Sequence, residues 1–216
     1  MAKRNWMEVD LDGFAKALGD RPKSGLFFEL HQNVADEPAT QCIITAEMLS
    51  SRPVCHVVVE DDSPEGFKQL SDAWTIFAES YKKNDPEKAG RFNLGEKIVL
   101  AHCITATITT TTGGVRFDEE RRHSLRKKRE RGSRFEADIR MTREEFTEVY
   151  TSILKLIPRE GLKTTFNEEE IPQRKPLRTL ELTLPSVFAD EEGYLKNTSR
   201  KTVVEIFEPL PGEDAG

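Results

Sequence analysis

The stretch Phe27-Phe28-Glu29-Leu30-His31-Gln32-Asn33-Val34-Ala35-Asp36-Glu37 decides how the rest of the chain is interpreted. At 100° per residue it predicts an amphipathic helix over residues 25–36, with its apolar side chains on one broad arc. Glu29, Asn33 and Asp36 fall together on the remaining face, because positions i, i+4 and i+7 are neighbours on a helix. Two interpretations stay open for this stripe. It is the solvated side of a helix, or it places a carboxylate and a carboxamide, one turn apart, in a cleft.

The composition is that of a soluble globular protein. The chain has 216 residues, of which 32% are charged and 37% hydrophobic, enough for one sizeable core or one domain with an appendage. The longest apolar runs are too short to cross a bilayer, and the first residues lack the apolar core of a signal peptide. The net charge of −6 gives no global attraction to nucleic acid. Three cysteines without CxxC spacing are expected to be reduced, mostly buried thiols in a cytoplasmic protein.

Two runs with the character of strands follow the predicted helix, over residues 42–47 and 54–60. The second is almost entirely β-branched or apolar, as is typical of a buried strand. It ends in Glu60-Asp61-Asp62-Ser63-Pro64-Glu65-Gly66. Carboxylates between a strand and a Pro/Gly loop are common in plain turns. They also suit a site that presents one fixed carboxylate at the floor of a pocket.

A second candidate binding element contains two glycines. The spacing of apolar residues predicts a helix over residues 66–80, and the polar stretch 81–89 predicts a mobile loop. Gly90-Arg91-Phe92-Asn93-Leu94-Gly95-Glu96-Lys97 then leads into an apolar helix. Glycines before a helix let the backbone approach a ligand, and the helix N-terminus offers free N–H groups to an anion. A plain junction between loop and helix is the alternative.

The middle of the chain combines a hairpin with a densely basic segment. Residues 103–112 alternate as a strand, and Gly113-Gly114 turns them into a second strand over 115–117. Residues 119–134 contain almost nothing to bury. The alternatives are a solvated loop or hairpin tip and a contact for nucleic acid or another partner. The first is favoured, because acidic residues are interspersed and no aromatic side chain is available to stack on bases.

The last part of the chain contains further strands and one helix. Gly132-Ser133 leads into a strand over residues 135–139, and Thr142 with Glu145 predicts a capping box at the start of a helix that runs to residue 157. Residues 162–166, 177–184 and 202–207 are typical of strands. A turn over residues 190–193 joins the last two.

The order of these pieces resembles the Bergerat-fold ATPases, the GHKL superfamily of gyrase-type topoisomerases, MutL, large heat-shock chaperones and sensor histidine kinases. The resemblance covers roughly residues 25–166. Glu29-x-x-x-Asn33-x-x-Asp36 looks like the first motif of the family, and Asp61 is similar to its adenine-binding aspartate. Gly90-Arg91-Phe92-x-x-Gly95 resembles the glycine motif that closes over the phosphates. Gly132-Ser133 is similar to the Gly-Thr pair that supports the adenine end.

Two positions depart from the family pattern. Ser63 stands where the first glycine after the aspartate is usual, and one extra residue precedes Gly66; Asn93 replaces a common glycine in the lid. The segment 142–166 is similar to the topoisomerase and MutL-like branch, and a phage-encoded relative of the rII type would share the same domain. The histidine-kinase branch is disfavoured, since it usually has no carboxylate at the position of Glu29.

The resemblance implies a fold and a division of the chain. The fold would be α+β, a two-layer α/β sandwich whose mixed, mainly antiparallel sheet is covered on one face by helices. Residues 1–172 would form the ATP-binding domain. Residues 173–216 would be a β-rich C-terminal extension or the start of a following domain.

The resemblance also implies roles for individual residues. Glu29 would be the general base that orients and deprotonates water, and Asn33 the ligand of Mg²⁺. Asp61 would accept the adenine amino group, and Asp36 would support its neighbours. For Lys97, contact with a phosphate and a place on the surface both stay open. The full set expected to contact nucleotide or metal is Asn33, Asp36, Asp61, Gly66, Gly90, Arg91, Phe92, Asn93, Leu94, Gly95, Lys97 and Ser133.

The implied function is Mg²⁺-dependent binding and hydrolysis of ATP that drives a conformational or dimerisation switch. A nucleotide-dependent homodimer is the expected assembly, with DNA or another protein as a further candidate partner. The alternative, from a different functional class, is a nucleotide-responsive binding module with negligible ATPase activity that acts through protein partners.

Overall fold

The computed structural model describes residue 13 and residues 22–67, 70–73, 95–189 and 194–210. The chain divides into two compact units, Met1–Pro172 and Gln173–Gly216. The predicted loop over 81–89 lies outside the described residues, as does most of the predicted helix over 66–80. Within that predicted helix, Gly66 and Phe67 are not helical, and Leu70–Ala73 forms a short 3₁₀ helix.

Three α-helices lie in the described part of the first unit: α1 (Ser24–Ala35), α2 (Gly95–Ala101) and α3 (Arg143–Ile153). Helix α1 matches its prediction to within one residue at each end. At α3 the predicted capping box is confirmed. The Glu145 N–H donates to Thr142 Oγ1 at 3.2 Å, and the Thr142 N–H donates to Glu145 Oε2 at 2.7 Å. Helix α3 ends at Ile153, earlier than the predicted residue 157.

Eight strands of the first unit form one mixed sheet, in the order β5-β4-β3-β6-β2-β1-β7-β8. Strands β1 and β7 are parallel, and all other neighbours are antiparallel. The strands are β1 (Gln41–Met48), β2 (Val54–Asp61), β3 (Cys103–Thr109), β4 (Gly114–Phe117), β5 (Arg122–Leu125), β6 (Arg134–Arg140), β7 (Lys163–Phe166) and β8 (Glu169–Ile171).

The helices cover one face of this sheet, and the core lies between the two layers. Alternate residues of β1 are buried, as period-2 side-chain alternation requires. They pack with the buried stripe of α1 and with one turn each of α2 and α3. Phe166 of β7 meets the ring of Phe27 edge-on at 6.3 Å between centroids and that of Tyr150 at 5.3 Å. The predicted two-layer α+β architecture is therefore confirmed.

The basic segment differs from its prediction as a loop or hairpin tip. Residues Arg122–Leu125 form strand β5, which pairs with β4 at the edge of the sheet. The turn between them is closed by Asp118, whose Oδ1 accepts the N–H groups of Glu120 and Arg121, each at 3.2 Å. An edge strand tolerates such a charged sequence because one of its sides stays in solvent.

The second unit contains a long antiparallel hairpin. Its strands, β9 (Arg178–Ala189) and β10 (Leu195–Ile206), pair from Arg178 with Ile206 to Ala189 with Leu195. Both strands are longer than the sequence pattern predicts, since Pro185 interrupts the apolar alternation of β9 and residues 196–201 of β10 are all polar.

Burial explains the state of the three thiols. Cys42 and Cys55 are buried, Cys103 is half-buried, and all three are free. Burial raises the pKa of each thiol to about 12, so all three are protonated at neutral pH. Across the described ranges, we find no helix both long enough and apolar enough to cross a membrane.

Candidate functional site

The carboxylate of Asp61 is fixed at the end of β2 by three donors. Oδ1 accepts the backbone N–H of Ser63 at 2.8 Å and also a short hydrogen bond from the Ser63 hydroxyl. Oδ2 accepts the backbone N–H of Ser133 at 3.0 Å. An ionised carboxylate has about four lone-pair positions, so roughly one, on Oδ2, remains for an external donor.

Two glycines let the chain close around this carboxylate. Gly66 and Gly132 both have positive φ angles, +62° and +68°. A Cβ on Gly132 would lie 1.9 Å from the carbonyl oxygen of Asp61, and one on Gly66 would lie 2.7 Å from the carbonyl oxygen of Gly132. Both positions therefore need a residue without a side chain.

Hydrogen bonds from the loop after β2 complete the arrangement. The N–H of Gly132 donates to the carbonyl oxygen of Ser63 at 2.7 Å. The N–H of Phe67 donates to Ser133 Oγ at 2.7 Å, and the buried Thr110 hydroxyl donates to the carbonyl oxygen of Phe67 at 3.2 Å. The loops that follow β2, β3 and β5 thus meet at one point.

A cavity of about 80 Å³ opens above Asp61. Its walls are mostly apolar, and three polar side chains besides Asp61 reach it: Asn33 and Glu37 from the end of α1, and Ser133. The apolar wall consists of Leu30, Val34, Val59, Phe67, Ile108 and Phe135. A narrow apolar slot with a single fixed acceptor suits a flat ring that carries an amino group.

Helix α1 places the three residues of its polar stripe differently. Asn33 is half-buried and lines the cavity. Glu29, one turn earlier, is half-buried, does not line the cavity and makes no hydrogen bond or ion pair with a described residue. Asp36 lies beyond the last helical residue, and its Oδ1 accepts from Gln32 Nε2 at 2.9 Å.

Asp36 is not brought into the Asp61 cavity. It lines a separate cavity between α1 and the segment that follows α3, with His31, Gln32 and Arg159 among its neighbours there. Glu37 lines the Asp61 cavity where Asp36 was expected, since α1 ends at Ala35 and residues 36–38 form a turn.

Known proteins resemble this chain in structure but not in sequence. No protein-family model matches it, and neither does any curated protein. The ATPase and transducer domains of DNA topoisomerase II from Balamuthia mandrillaris superpose with a TM-score of 0.50 and 14% identity, over 69% of this chain and 48% of that one. The ATPase region of Saccharomyces cerevisiae topoisomerase II bound to ICRF-187 (dexrazoxane) gives 0.52 and 11%, over 68% and 48%.

The chain has the Bergerat fold. The same yeast ATPase region, in a second structure, superposes with a TM-score of 0.50 at 11% identity. This chain spans about half the length of the topoisomerase chains it matches. At these identities the likeness concerns the arrangement of helices and strands, and the roles of individual residues have to be argued from the site itself.

Several residues expected in the Bergerat site lie outside the described residues: Gly90, Arg91, Phe92, Asn93 and Leu94. Gly95 is described and begins α2. Lys97, in the first turn of α2, is only 4% exposed. Of the two possibilities predicted for Lys97, the place on the surface is therefore wrong.

Asp62, next to Asp61, has a structural task. Its carboxylate accepts the N–H groups of Thr40 and Gln41 at 2.8 and 2.9 Å and the Thr40 hydroxyl at 2.6 Å. Burial raises the pKa of Asp62, but these hydrogen bonds and the nearby charge of Arg131 outweigh it and hold the pKa below its usual value. Asp62 thereby ties the start of β1 to the end of β2.

Besides Glu37 and the apolar wall of the cavity, three residues that shape this site were not among those predicted for it. Ser63 departs from the family pattern, yet it supplies two of the three donors to Asp61. A signal was present, because an Asp that bonds to the backbone two residues on is a common turn. Phe67 and Thr110, which close the floor of the site, carry no motif at all.

A metal ion would have few protein ligands here. Within the described ranges, no three His, Cys, Asp or Glu side chains are grouped as a metal site requires. Mg²⁺ does not require such a group, because it keeps several waters and is bound through one or two protein oxygens together with phosphates. The half-buried carboxamide of Asn33, which lines the cavity, would supply one such oxygen.

Proposed function

We propose that this Bergerat domain binds ATP with its adenine in the Asp61 cavity and hydrolyses it. The observation that carries the proposal is the Asp61 carboxylate, held by donors from Ser63 and Ser133 at the floor of an apolar slot. A carboxylate without a proton can only accept hydrogen bonds. It therefore suits the amino group of adenine and repels the carbonyl oxygen that guanine has at the same position.

Helix α1 would supply the groups that act on the phosphates. Asn33 and Glu29 lie one turn apart on the same face, with Asn33 nearer the cavity. Asn33 would hold Mg²⁺, which neutralises phosphate charge when bound. The backbone around residues 90–95 and Lys97 are the proposed contacts of the phosphates. Asp36 is left out of these contacts because it faces the other cavity.

In the hydrolytic step, Glu29 would orient a water molecule in line with the terminal phosphorus. The water oxygen forms a bond to phosphorus while the bond to the bridging oxygen breaks. Glu29 takes the proton of the water, and ADP leaves with the electron pair. Glu29 has no partner among the described residues, so its carboxylate is free to turn toward that water.

We further propose that nucleotide binding drives a conformational or dimerisation switch. The support is indirect: the fold is shared with the ATPase regions of topoisomerase II. Glu29 does not line the Asp61 cavity, and this favours the second candidate, a nucleotide-responsive binding module that hardly hydrolyses ATP. An ATPase assay beside a binding measurement separates the two.

The binding half of the proposal is tested by calorimetry with a non-hydrolysable ATP analogue and Mg²⁺. Asp61→Asn should weaken binding about 10- to 100-fold, the equivalent of a charged hydrogen bond of roughly 1.5–3 kcal/mol. Asp36→Asn removes the same charge outside the cavity and should bind like the wild type. Unchanged affinity in Asp61→Asn would show that the adenine site is elsewhere.

The hydrolytic half is tested by steady-state turnover. Glu29→Ala should still bind ATP but lose at least about 100-fold in rate, as is usual when a general base is removed. A variant that retains turnover would rule out Glu29 as the base. If the wild-type protein binds ATP tightly but does not hydrolyse it, the result would identify the second candidate, the binding module.

A further inference from the structure

The cavity that Asp36 lines, here named the His31 cavity, lies on the side of α1 that faces away from the Asp61 cavity. Its wall on α1 is a stripe at positions i, i+3, i+4 and i+7 within residues 28–35. The stripe that lines the Asp61 cavity starts two residues later, about 200° further around the helix. The His31 cavity measures about 330 Å³, at the small end of the roughly 300–1,000 Å³ typical of ligand pockets.

The ring of His31 offers this cavity a hydrogen-bonding atom. His31 as a residue is only 6% exposed, and it lines the cavity. Its Nε2 shares a hydrogen bond with Thr164 Oγ1 at 3.1 Å, whereas Nδ1 makes no hydrogen bond with a described residue. In one neutral tautomer Nδ1 accepts a hydrogen bond, and in the other it donates one. A ligand in the cavity can satisfy it in either case.

Two opposite charges lie at one end of the cavity, beside the turn that follows α1. Asp36 Oδ1 accepts from Gln32 Nε2 at 2.9 Å, and Arg159 Nη2 donates to two carbonyl oxygens of residues 37–39 at 3.2 and 2.9 Å. These contacts hold both side chains in place with neutral partners, so they do not cancel either charge. Burial lowers the pKa of His31 most, and the charge of Arg159 lowers it further, which places the guanidinium near the ring.

The rest of the cavity is apolar. Phe28 lies two turns before Ala35 on α1 and so at the other end from the two charges. Leu156 and Ile157 line the opposite wall. Phe28 and Ile157 are 39% and 40% exposed, so a ligand that covers them gains the free energy of apolar burial.

We infer that the His31 cavity binds a free α-amino acid with an apolar side chain. Such a molecule carries an ammonium and a carboxylate at one end, which match Asp36 and Arg159, and an apolar group that reaches toward Phe28. The C-terminal end of α1 also favours the ammonium. A simple carboxylate would bring its charge close to Asp36, and a simple amine would bring its charge close to Arg159, so each would meet a like charge.

The test is isothermal titration calorimetry of the full chain, without nucleotide, using L-leucine as the probe. Leucine should bind with a Kd at or below about 1 mM. Isocaproate, which lacks the amino group, and isoamylamine, which lacks the carboxylate, should each bind at least about 10-fold more weakly, since each leaves one charge of the cavity unmatched. Glycine should also bind at least about 10-fold more weakly, because it has no side chain to cover Phe28.

A charge variant locates the site. Asp36→Asn keeps an acceptor for Gln32 but removes the partner of the ammonium, so it should weaken leucine binding at least about 10-fold. Glu160→Gln is the matched control. It removes the same charge from an exposed residue next to Arg159 that does not line the cavity, and its affinity for leucine should stay within about twofold of the wild type.

Any of four results would overturn the inference. They are no leucine binding by the wild type, an analogue or glycine that binds as tightly as leucine, no loss in Asp36→Asn, and an equal loss in Glu160→Gln. Equal binding of isocaproate would point to a site for simple carboxylates. Because the assay contains no ATP and the two cavities lie on opposite sides of α1, its outcome is independent of the proposed ATPase function.

Discussion

Gly132 packs against the backbone of Asp61 so closely that a Cβ on Gly132 would lie 1.9 Å from the Asp61 carbonyl oxygen. The next residue, Ser133, donates its N–H to the Asp61 carboxylate at 3.0 Å. The position of the proposed adenine acceptor therefore depends on a glycine that is distant in sequence and lies on the neighbouring chain segment.

Gly132→Ala should destabilise the protein by more than about 3 kcal/mol. The φ of +68° costs an L-residue about 1–2 kcal/mol, and the clash adds a further overpacking cost because its partner is rigid backbone. Urea unfolding measures the difference. Gly161→Ala is the matched control, since Gly161 has a φ of +79° but nothing within 4 Å of the position that a Cβ would take. It should lose only about 1–2 kcal/mol. Equal losses would show that the close approach to Asp61 contributes nothing.

Ser63→Ala should weaken ATP binding about 5- to 10-fold, a prediction that rests on the proposed function. The substitution removes the hydroxyl donor from Asp61 Oδ1, a bond worth roughly 1 kcal/mol, and lets the carboxylate turn away from its acceptor geometry. Calorimetry measures the affinity, and Ser124→Ala, on the edge strand β5, is the control. Lower stability with unchanged affinity would assign Ser63 a structural role only.

Helix α1 and strands β1 and β6 could be predicted from the sequence because their apolar residues repeat at 3.6 or 2 positions, and β2 because it is an almost continuous apolar run. The capping box of α3 was equally readable, since it needs only Thr142 and Glu145 three residues apart. Such signals are local. They depend on residues within one element, so the sequence alone displays them.

The contents of the Asp61 cavity were only partly predictable. Asp61, Gly66 and Ser133 carry motif signals and do come together with Asn33 around the cavity or its floor. The sequence does not indicate that Glu37, and not Asp36, lines the cavity. That depends on the residue at which α1 ends, and helix ends are hard to place to within a residue. Strand β5 is not predicted because it is only four residues long and lies within a charged segment, so that only its pairing with β4 makes it a strand.

Thr142→Ala should lower the free energy of unfolding by about 1 kcal/mol. The substitution removes the hydroxyl that accepts the Glu145 N–H at the start of α3. Thr147→Ala is the control within the same helix. Its hydroxyl donates to the carbonyl oxygen of Arg143, so the backbone loses no needed partner, and Ala has the higher helix propensity. Thr147→Ala should be neutral or slightly stabilising. A loss of stability in the control equal to that of Thr142→Ala would rule out capping as the cause.

His31 should make the protein less stable in mild acid. His31 as a residue is 6% exposed, and its ring shares a hydrogen bond with Thr164 Oγ1 at 3.1 Å. Burial, followed by the charge of Arg159, lowers the pKa of His31 to about 4. The unfolded chain has the ordinary pKa of about 6.5 and so binds more protons between pH 6.5 and 4. The stabilising contribution is therefore complete above about pH 6.5 and is lost as the pH falls toward 4.

Between pH 7.5 and 5 the contribution of His31 to the free energy of unfolding falls by about 2 kcal/mol. His31→Gln keeps a polar side chain beside Thr164 but cannot titrate, so it should remove that part of the pH dependence. Urea unfolding of both proteins at the two pH values gives the comparison, in which the contributions of the other histidines cancel. If wild type and variant lose the same free energy on acidification, His31 is protonated in the folded protein at pH 5 and its burial does not exclude the charge.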